Sequence, residues 1–242
     1  MNDAALAAHL ARTAGALLMT VRDSDTVAGA ALGCAGDAIA NRFLVEALRA
    51  QRPDDAVLSE EEKDCRDRLD RSRVWIVDPV DGTREYAERR DDWAVHVALA
   101  VDGVPAIGAV ALPASGIVLR SDVPLIVPPA PARLRMVVSR SRPAAEALAV
   151  AAALEAELVP MGSAGAKAMS VILGQADIYL HSGGQFEWDS CAPAAVALAH
   201  GLHASRIDGS PLTYNQSDTY LPDLLVCRRE HVAAVLAALP RD

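Results

Sequence analysis

Val77-Asp78-Pro79-Val80-Asp81-Gly82-Thr83 is the stretch on which the reading of this chain turns. It continues Val74-Trp75-Ile76, an apolar run of the length and composition of a buried strand. The strand is expected to end at Asp78. Pro79 fixes φ and turns the chain, so that Asp78, Asp81 and the Val80 carbonyl converge on one point. Gly82 permits a close backbone approach, and Gly82-Thr83 is expected to open a helix whose free N–H groups attract phosphate. Two carboxylates, a carbonyl and a helix N-terminus suit Mg2+ together with a phosphate ester. Mg2+ takes few carboxylates and completes its shell with waters and substrate oxygens. An Asp-Pro turn alone is ordinarily only a turn, so the neighbouring carboxylates decide the matter.

Three further acidic places stand out. Glu60-Glu61-Glu62 follows the short apolar run ending at Leu58-Ser59, Glu187-Trp188-Asp189 precedes a helix, and Asp37 stands at the start of another. Singly each has a plain structural explanation, as a solvated face or a helix cap. Around them, residues 3–22 and 37–52 read as helices. In the second, Ile39, Phe43, Leu44, Ala47 and Leu48 recur at helical spacing and Pro53 stops it. Residues 93–101 alternate as a strand, Gly103 turns the chain, and 104–112 returns as its hairpin partner. A second pair is predicted at 116–120 and 123–127.

The Pro-rich segment 128–133 marks a boundary between two halves. The N-terminal half, 1–127, carries the Glu-Glu and Asp-Pro-Val-Asp-Gly-Thr motifs. The C-terminal half, 134–242, carries Gly162-Ser163-Ala164-Gly165-Ala166-Lys167 and Trp188-Asp189. There strands and helices alternate: strand 134–139, helix 143–156, strand 157–161, a helix from about 165, strand 177–181, helix 190–200, strand 223–227 and helix 229–239. The pattern predicts layered α/β sheets forming one compact unit.

Composition bounds the partners. The 242 residues are 52% hydrophobic and 23% charged, with a net charge of −9. That is a globular balance, and the acid excess argues against a nucleic acid polymer or an anionic membrane as partner. Of the 23 basic residues only Lys63 and Lys167 are lysines. The start shows no basic region followed by an apolar one, and no uncharged apolar run reaches about 18 residues. Cys34, Cys65, Cys191 and Cys227 are scattered, without metal-binding spacing. A soluble, cytoplasmic protein is expected.

The spacing Asp…Glu-Glu…Asp-Pro-x-Asp-Gly-Thr…Trp-Asp resembles the pattern of the inositol monophosphatase superfamily, the lithium-sensitive, Mg2+-dependent phosphatases. The motifs run from residue 37 to 189, and the order of elements fits through the C-terminus. The resemblance implies a fold of alternating αβαβα layers. Within the superfamily, Arg84-Glu85-Tyr86, Trp188-Asp189-Ser190-Cys191-Ala192-Pro193 and the 162–167 loop are similar to the 3′(2′),5′-bisphosphate nucleotidases of sulfur metabolism. Inositol phosphatases carry a glutamate seven residues before the Trp-Asp aspartate, where this chain has Ser182. Two departures stand out: the segment before Asp37 lacks the threonine common in relatives, and Arg142 stands where a nucleotide-contacting histidine is usual.

The resemblance also implies roles. Glu60, Asp78 and the Val80 carbonyl hold one Mg2+; Asp78, Asp81 and Asp189 hold a second; a third is weaker. Asp37 and Thr83 relay a proton from the attacking water, with Glu61 assisting. The Gly82 and Thr83 amides meet the reacting phosphate, while Ser139, Arg142, Ser163 and Lys167 hold the 5′-phosphate and adenosine end. The implied reaction converts 3′-phosphoadenosine 5′-phosphate, or its 5′-phosphosulfate, to AMP or its sulfated counterpart and phosphate. Inositol 1-phosphate and fructose 1,6-bisphosphate remain alternative substrates, because the metal motif handles only the phosphate. A catalytically idle nucleotide or metal sensor is the remote alternative, opposed by the intact acidic set. Relatives of this kind are often homodimers, and the 104–127 hairpins offer an edge for one. His96 reads as a satisfied interior histidine.

Overall fold

The computed structural model describes residues 1–240. Two five-stranded sheets alternate with three layers of helices. Helices α1 (Asp3–Asp23) and α2 (Ala30–Gln51) form the first layer. The first sheet contains β1 (Ala56–Ser59), β2 (Arg73–Asp81), β3 (Ala94–Val101), β4 (Val104–Leu112) and β5 (Ile117–Arg120), side by side in chain order. β1 runs parallel to β2, and the remaining pairs are antiparallel. The short helix α3 (Thr83–Ala87) follows β2.

In the second half lie β6 (Arg135–Ser139), α4 (Ala145–Ala153), β7 (Glu157–Met161), α5 (Ala164–Ile172), β8 (Ile178–Ser182), α6 (Glu187–Ala199), β9 (His203–Ser205), β10 (Asp223–Cys227) and α7 (Val232–Ala238). The second sheet has the order β7-β6-β8-β10-β9. Helices α5 and α6 fill the space between the sheets, and α4 and α7 close the far side.

Burial on both faces explains the uninterrupted apolar run of β2. Trp75 and Val77 point into the core beneath α1 and α2, while Val74 and Ile76 point into the central core around α5 and α6. In α1, Leu6, Leu10, Ala14 and Leu18 form one buried stripe against that outer core, which is why a 21-residue apolar helix lies on a sheet.

Several boundaries differ from the sequence-based expectation. α2 begins at Ala30 behind Gly29, so Asp37 lies two turns inside the helix and caps nothing. The small residues of 30–36 carry little apolar periodicity to announce that helix. β2 does not stop at Asp78; it continues through Pro79 to Asp81, with its register against β3 shifted between Asp78 and Asp81. The Pro is accommodated as a bulge in a strand, where a missing N–H is tolerated. Residues 123–127 form no strand; the connection between the sheets is irregular from 121 to 134. α6 starts at Glu187, three residues early, and 229–239 divides into a 3-10 turn at Arg229–His231 and α7. The three-residue β9 was too short to carry a pattern.

The central layer packs closely enough to constrain the sheet beneath it. At Gly108 on β4, an added Cβ would lie 2.5 Å from the Ala192 carbonyl oxygen and 2.9 Å from Ala195 Cβ, both on α6. Gly108→Val should lower unfolding stability by about 2 kcal/mol or more, as overpacking against rigid backbone does. The shift in urea midpoint measures it, and an unchanged midpoint would show that α6 can retreat from β4.

Candidate active site

The acidic motifs meet at the C-terminal ends of β1 and β2 and the first turn of α6. Because β1 lies parallel beside β2 with Ser59 opposite Val77, Glu60 arrives next to Asp78. The Glu60 amide donates to the Val77 carbonyl at 3.4 Å. The bulge brings Asp81 back toward the same point, and Asp78 Oδ1 accepts from the Val80 amide at 3.0 Å. α6 contributes Asp189, whose Oδ2 accepts from the Phe186 amide at 2.7 Å. One carboxylate oxygen from each of Asp78, Asp81 and Asp189 lies within 4.8 Å of the others.

The members of this cluster are not equivalent. Burial drives the Asp78 carboxyl well above the ordinary range, and repulsion from Glu60, Asp81 and Asp189 adds to it. Asp189 is pushed up to about 7, first by burial and then by the charge of Asp81. Glu60 also rises to about 7: the cleft desolvates its carboxyl, and Asp189, Glu61 and Asp81 repel its charge. A cation joining carboxylates so placed favours their charged form. The donors are hard oxygens, without thiolate or imidazole among the three converging aspartates, which fits a hard divalent cation.

Asp81 is the exception. Burial pushes its carboxyl up, but His96, Lys167 and the Gly165 amide outweigh that and hold it below the usual carboxylate range. Its oxygens accept from the Ala164 amide at 3.0 Å and from the Gly165 amide, the first two residues of α5. His96 Nε2 stands 3.1 Å from Oδ2, while His96 Nδ1 donates to the Trp188 carbonyl at 3.0 Å. Glycine is required at 165, because a Cβ there would lie 2.0 Å from His96 Nε2.

The 162–167 loop therefore does bind an anion through a helix N-terminus, but the anion is Asp81. Ser163 and Lys167 both serve that arrangement. Ser163 caps α5, accepting from the Ala166 amide at 3.1 Å. Lys167, only 4% exposed, donates from Nζ to the Gly162 carbonyl and, at 2.7 Å, to that of Ser163; the ammonium also lies 5.4 Å from the Tyr179 ring centre. Burial lowers its pKa to about 8. In this geometry Lys167 braces the α5 N-terminus.

On the other side of the cluster, Thr83 Oγ1 lies 3.2 Å from Asp37 Oδ1 and 3.2 Å from the Val80 carbonyl. Gly33, one turn before Asp37, lets α2 approach α3: a Cβ there would lie 2.9 Å from Thr83 Cγ2. Burial, then the charge of Glu61, raises Asp37 to about 6, against the Thr83 hydrogen bond. Gly82 starts α3 in the left-handed region at φ +89°, which favours glycine. Glu60 and Glu61 are both exposed, and half-buried Glu62 pairs with Arg49 at 2.8 Å.

Farther out, Ser139 Oγ accepts from the Arg142 amide at 3.2 Å. Arg142 is exposed, and its guanidinium closely borders Gly184. Ser182 donates to Glu146 at 2.6 Å. His96 was read from sequence as interior packing; its place at Asp81 follows from the β2–β3 register, in which it pairs with Asp78. No local signal announces that.

Because Asp78, Asp189 and Glu60 hold protons in the folded state that the unfolded chain has lost, metal-free protein should lose stability as pH rises from about 4 to 7. The gain in melting temperature from a saturating divalent cation should grow across the same interval, since the ligands must be deprotonated. Asp78→Asn, which retains the oxygen accepting from Val80, should raise the metal-free melting temperature at pH 8 and remove the cation's effect. Melting curves with chelator and with cation check this; a gain independent of pH would exclude these carboxylates as the ligands.

Comparison with known proteins agrees with this geometry. The family model described as "Inositol monophosphatase family" matches residues 4–122 and 132–240. The chain is 51% identical to a 3′-phosphoadenosine 5′-phosphate phosphatase of Mycobacterium leprae, over 100% of this chain and 94% of the relative. It is 33% identical to the 3′(2′),5′-bisphosphate nucleotidase CysQ of Escherichia coli K12, over 88% and 94% of the two chains. The crystal structure of CysQ from Bacteroides thetaiotaomicron superposes with a TM-score of 0.76 at 26% identity, covering 93% of this chain and 97% of that one. The five-layer fold, the acidic cluster and these matches agree, and the chain belongs to the inositol monophosphatase family.

Proposed function

We propose that the protein is a Mg2+-dependent phosphatase that removes the 3′-phosphate of 3′-phosphoadenosine 5′-phosphate, giving AMP and phosphate, and treats the 5′-phosphosulfate likewise. The observation that carries the chemistry is the meeting of Asp78, Asp81 and Asp189 beside the Thr83–Asp37 pair. The relative at 51% identity supports the substrate, and the place of that reaction is sulfur assimilation. All four cysteines are free, in keeping with a reducing cytoplasm.

Asp78, Asp189, Glu60 and the Val80 carbonyl are the groups that would hold Mg2+, with Asp81 already oriented by α5 and His96. Bound there, the metal neutralises phosphoryl oxygens and acidifies a water. The protein's own part is proton management and orientation. The Thr83 hydroxyl, hydrogen-bonded to Asp37, accepts a proton from the attacking water as it passes its own to the carboxylate. With a pKa of about 6, Asp37 is basic enough to draw that proton and ionised at neutral pH. Glu61, whose charge acts on Asp37, reinforces the basicity. The Gly82 and Thr83 amides meet the phosphoryl oxygens. Exposed Arg142 pairs with the 5′-phosphate, its backbone held by Ser139. Ser163 and Lys167 act indirectly, by keeping the α5 N-terminus on Asp81. Ser182, engaged with Glu146, brings no carboxylate to hold an inositol ring.

Phosphate release from 3′-phosphoadenosine 5′-phosphate, inositol 1-phosphate and fructose 1,6-bisphosphate, measured side by side with Mg2+, should give the highest kcat/KM for the nucleotide. A higher value for either of the others would overturn the substrate assignment. Thr83→Ala should lower kcat about a hundredfold or more, the usual size of a lost proton-transfer group. KM should change little; a retained kcat would remove Thr83 from the relay.

A further inference from the structure

We propose that Phe186 and Tyr220 form a stacking platform for the purine base of the substrate, an inference that rests on the nucleotide reading above. The chain has two Phe, three Trp and four Tyr. Among the described residues, Phe186 at 37% and Tyr220 at 42% are the aromatic side chains left exposed. Trp75, Trp93, Tyr86, Tyr179 and Tyr214 are buried completely. The two exposed rings touch each other, edge to face, with centroids 5.6 Å apart. Phe186 also stacks on Trp188, with centroids 5.0 Å apart and planes 10° from parallel.

The pair is held by its backbone. Phe186 and Tyr220 form an antiparallel bridge, and the amides of Glu187 and Leu221 donate to the carbonyls of Thr219 and Gln185 at 2.9 and 3.0 Å. The Tyr220 hydroxyl accepts from the Gly184 amide at 3.2 Å. Rings fixed this way lose little freedom when a ligand arrives.

Position supplies the occupant. The Phe186 amide is bonded to the Asp189 carboxylate at 2.7 Å, so the platform begins one hydrogen bond from the acidic cluster. At the other end of the same segment, Gly184 abuts the Arg142 guanidinium. A ligand engaging both the carboxylate cluster and Arg142 passes this segment, and a purine presents it with a π-face. Base–aromatic stacking needs no particular edge pattern on the base, whereas an inositol or furanose ring has no π-face to offer. The carboxylates handle any phosphate ester, and the aromatic pair discriminates among the groups attached to it.

The test compares Phe186→Leu, Tyr220→Leu and the double variant with the conservative Phe186→Tyr and Tyr220→Phe. For each, kcat and KM are measured on 3′-phosphoadenosine 5′-phosphate and on inositol 1-phosphate, and a melting curve verifies folding. The double leucine variant should lose about tenfold or more of the nucleotide-over-inositol ratio in kcat/KM, through KM, as expected for a lost stacking contact. The conservative variants should keep the ratio. A ratio unchanged by the leucines, or an equal loss on both substrates, would overturn the platform while leaving the substrate assignment standing. A wild-type enzyme that prefers inositol 1-phosphate would overturn that assignment and the platform with it.

Discussion

A carboxylate buried between two sheets must be partnered, and the partnership of Asp81 organises this molecule. Its oxygens take the first amides of α5 and face His96 of β3. An unpartnered charge at that depth would be prohibitive, since burial in low dielectric disfavours the ionised form. The requirement ties the end of β2 to the first turn of a helix that follows 83 residues later in the chain. Because His96 also donates to the Trp188 carbonyl, the same contact sets the height of α6, and with it Asp189. Three elements distant in sequence are thus brought to one point by the hydrogen-bonding demand of one side chain.

That arrangement divides the acidic cluster by function. Asp81 is neutralised by the protein itself, through a helix N-terminus, an imidazole and the charge of Lys167. For Asp78, Asp189 and Glu60 burial and mutual repulsion prevail, and for Asp189 they outweigh the Phe186 amide, His96 and Lys167. The cleft is therefore both structured and electrostatically unfinished, the condition in which a divalent cation binds and then draws in a phosphate ester. The net charge of the chain is −9. Part of it is concentrated where Asp78, Asp81 and Asp189 converge. Beyond the cluster lie exposed Arg142 and the exposed aromatic pair Phe186 and Tyr220.

Much of the site was legible because its chemistry is carried by short contiguous motifs. Asp78, Val80, Asp81, Gly82 and Thr83 lie within six residues, and the Glu-Glu and Trp-Asp pairs each sit next to a regular element. The five-layer fold followed from alternating strands and helices with the right intervals. What stayed hidden depended on register and on helix ends. Asp37 looked like a cap because the small residues before it carry no apolar stripe, yet α2 starts seven residues earlier. Asp78-Pro79 looked like a strand end because Pro ordinarily breaks a ladder, yet the bulge absorbs it. A Gly/Ser turn before a helix invites an anion, and which anion it meets, the Asp81 carboxylate, was not legible from the turn.

By itself the sequence determined the class of chemistry, the layered architecture and the identity of the carboxylates, since each is written in local composition and spacing. Tertiary structure alone decided which carboxylate is compensated, which lysine is a brace, and which aromatic rings remain exposed beside the site. The reason is that charge compensation and exposure are properties of what surrounds a side chain. His96 comes to Asp81 through strand register, the α5 amides through helix docking, and Phe186 to Tyr220 through a bridge across 34 residues. None of these distances is encoded in neighbouring residues; each arises when the two sheets close on the helices between them.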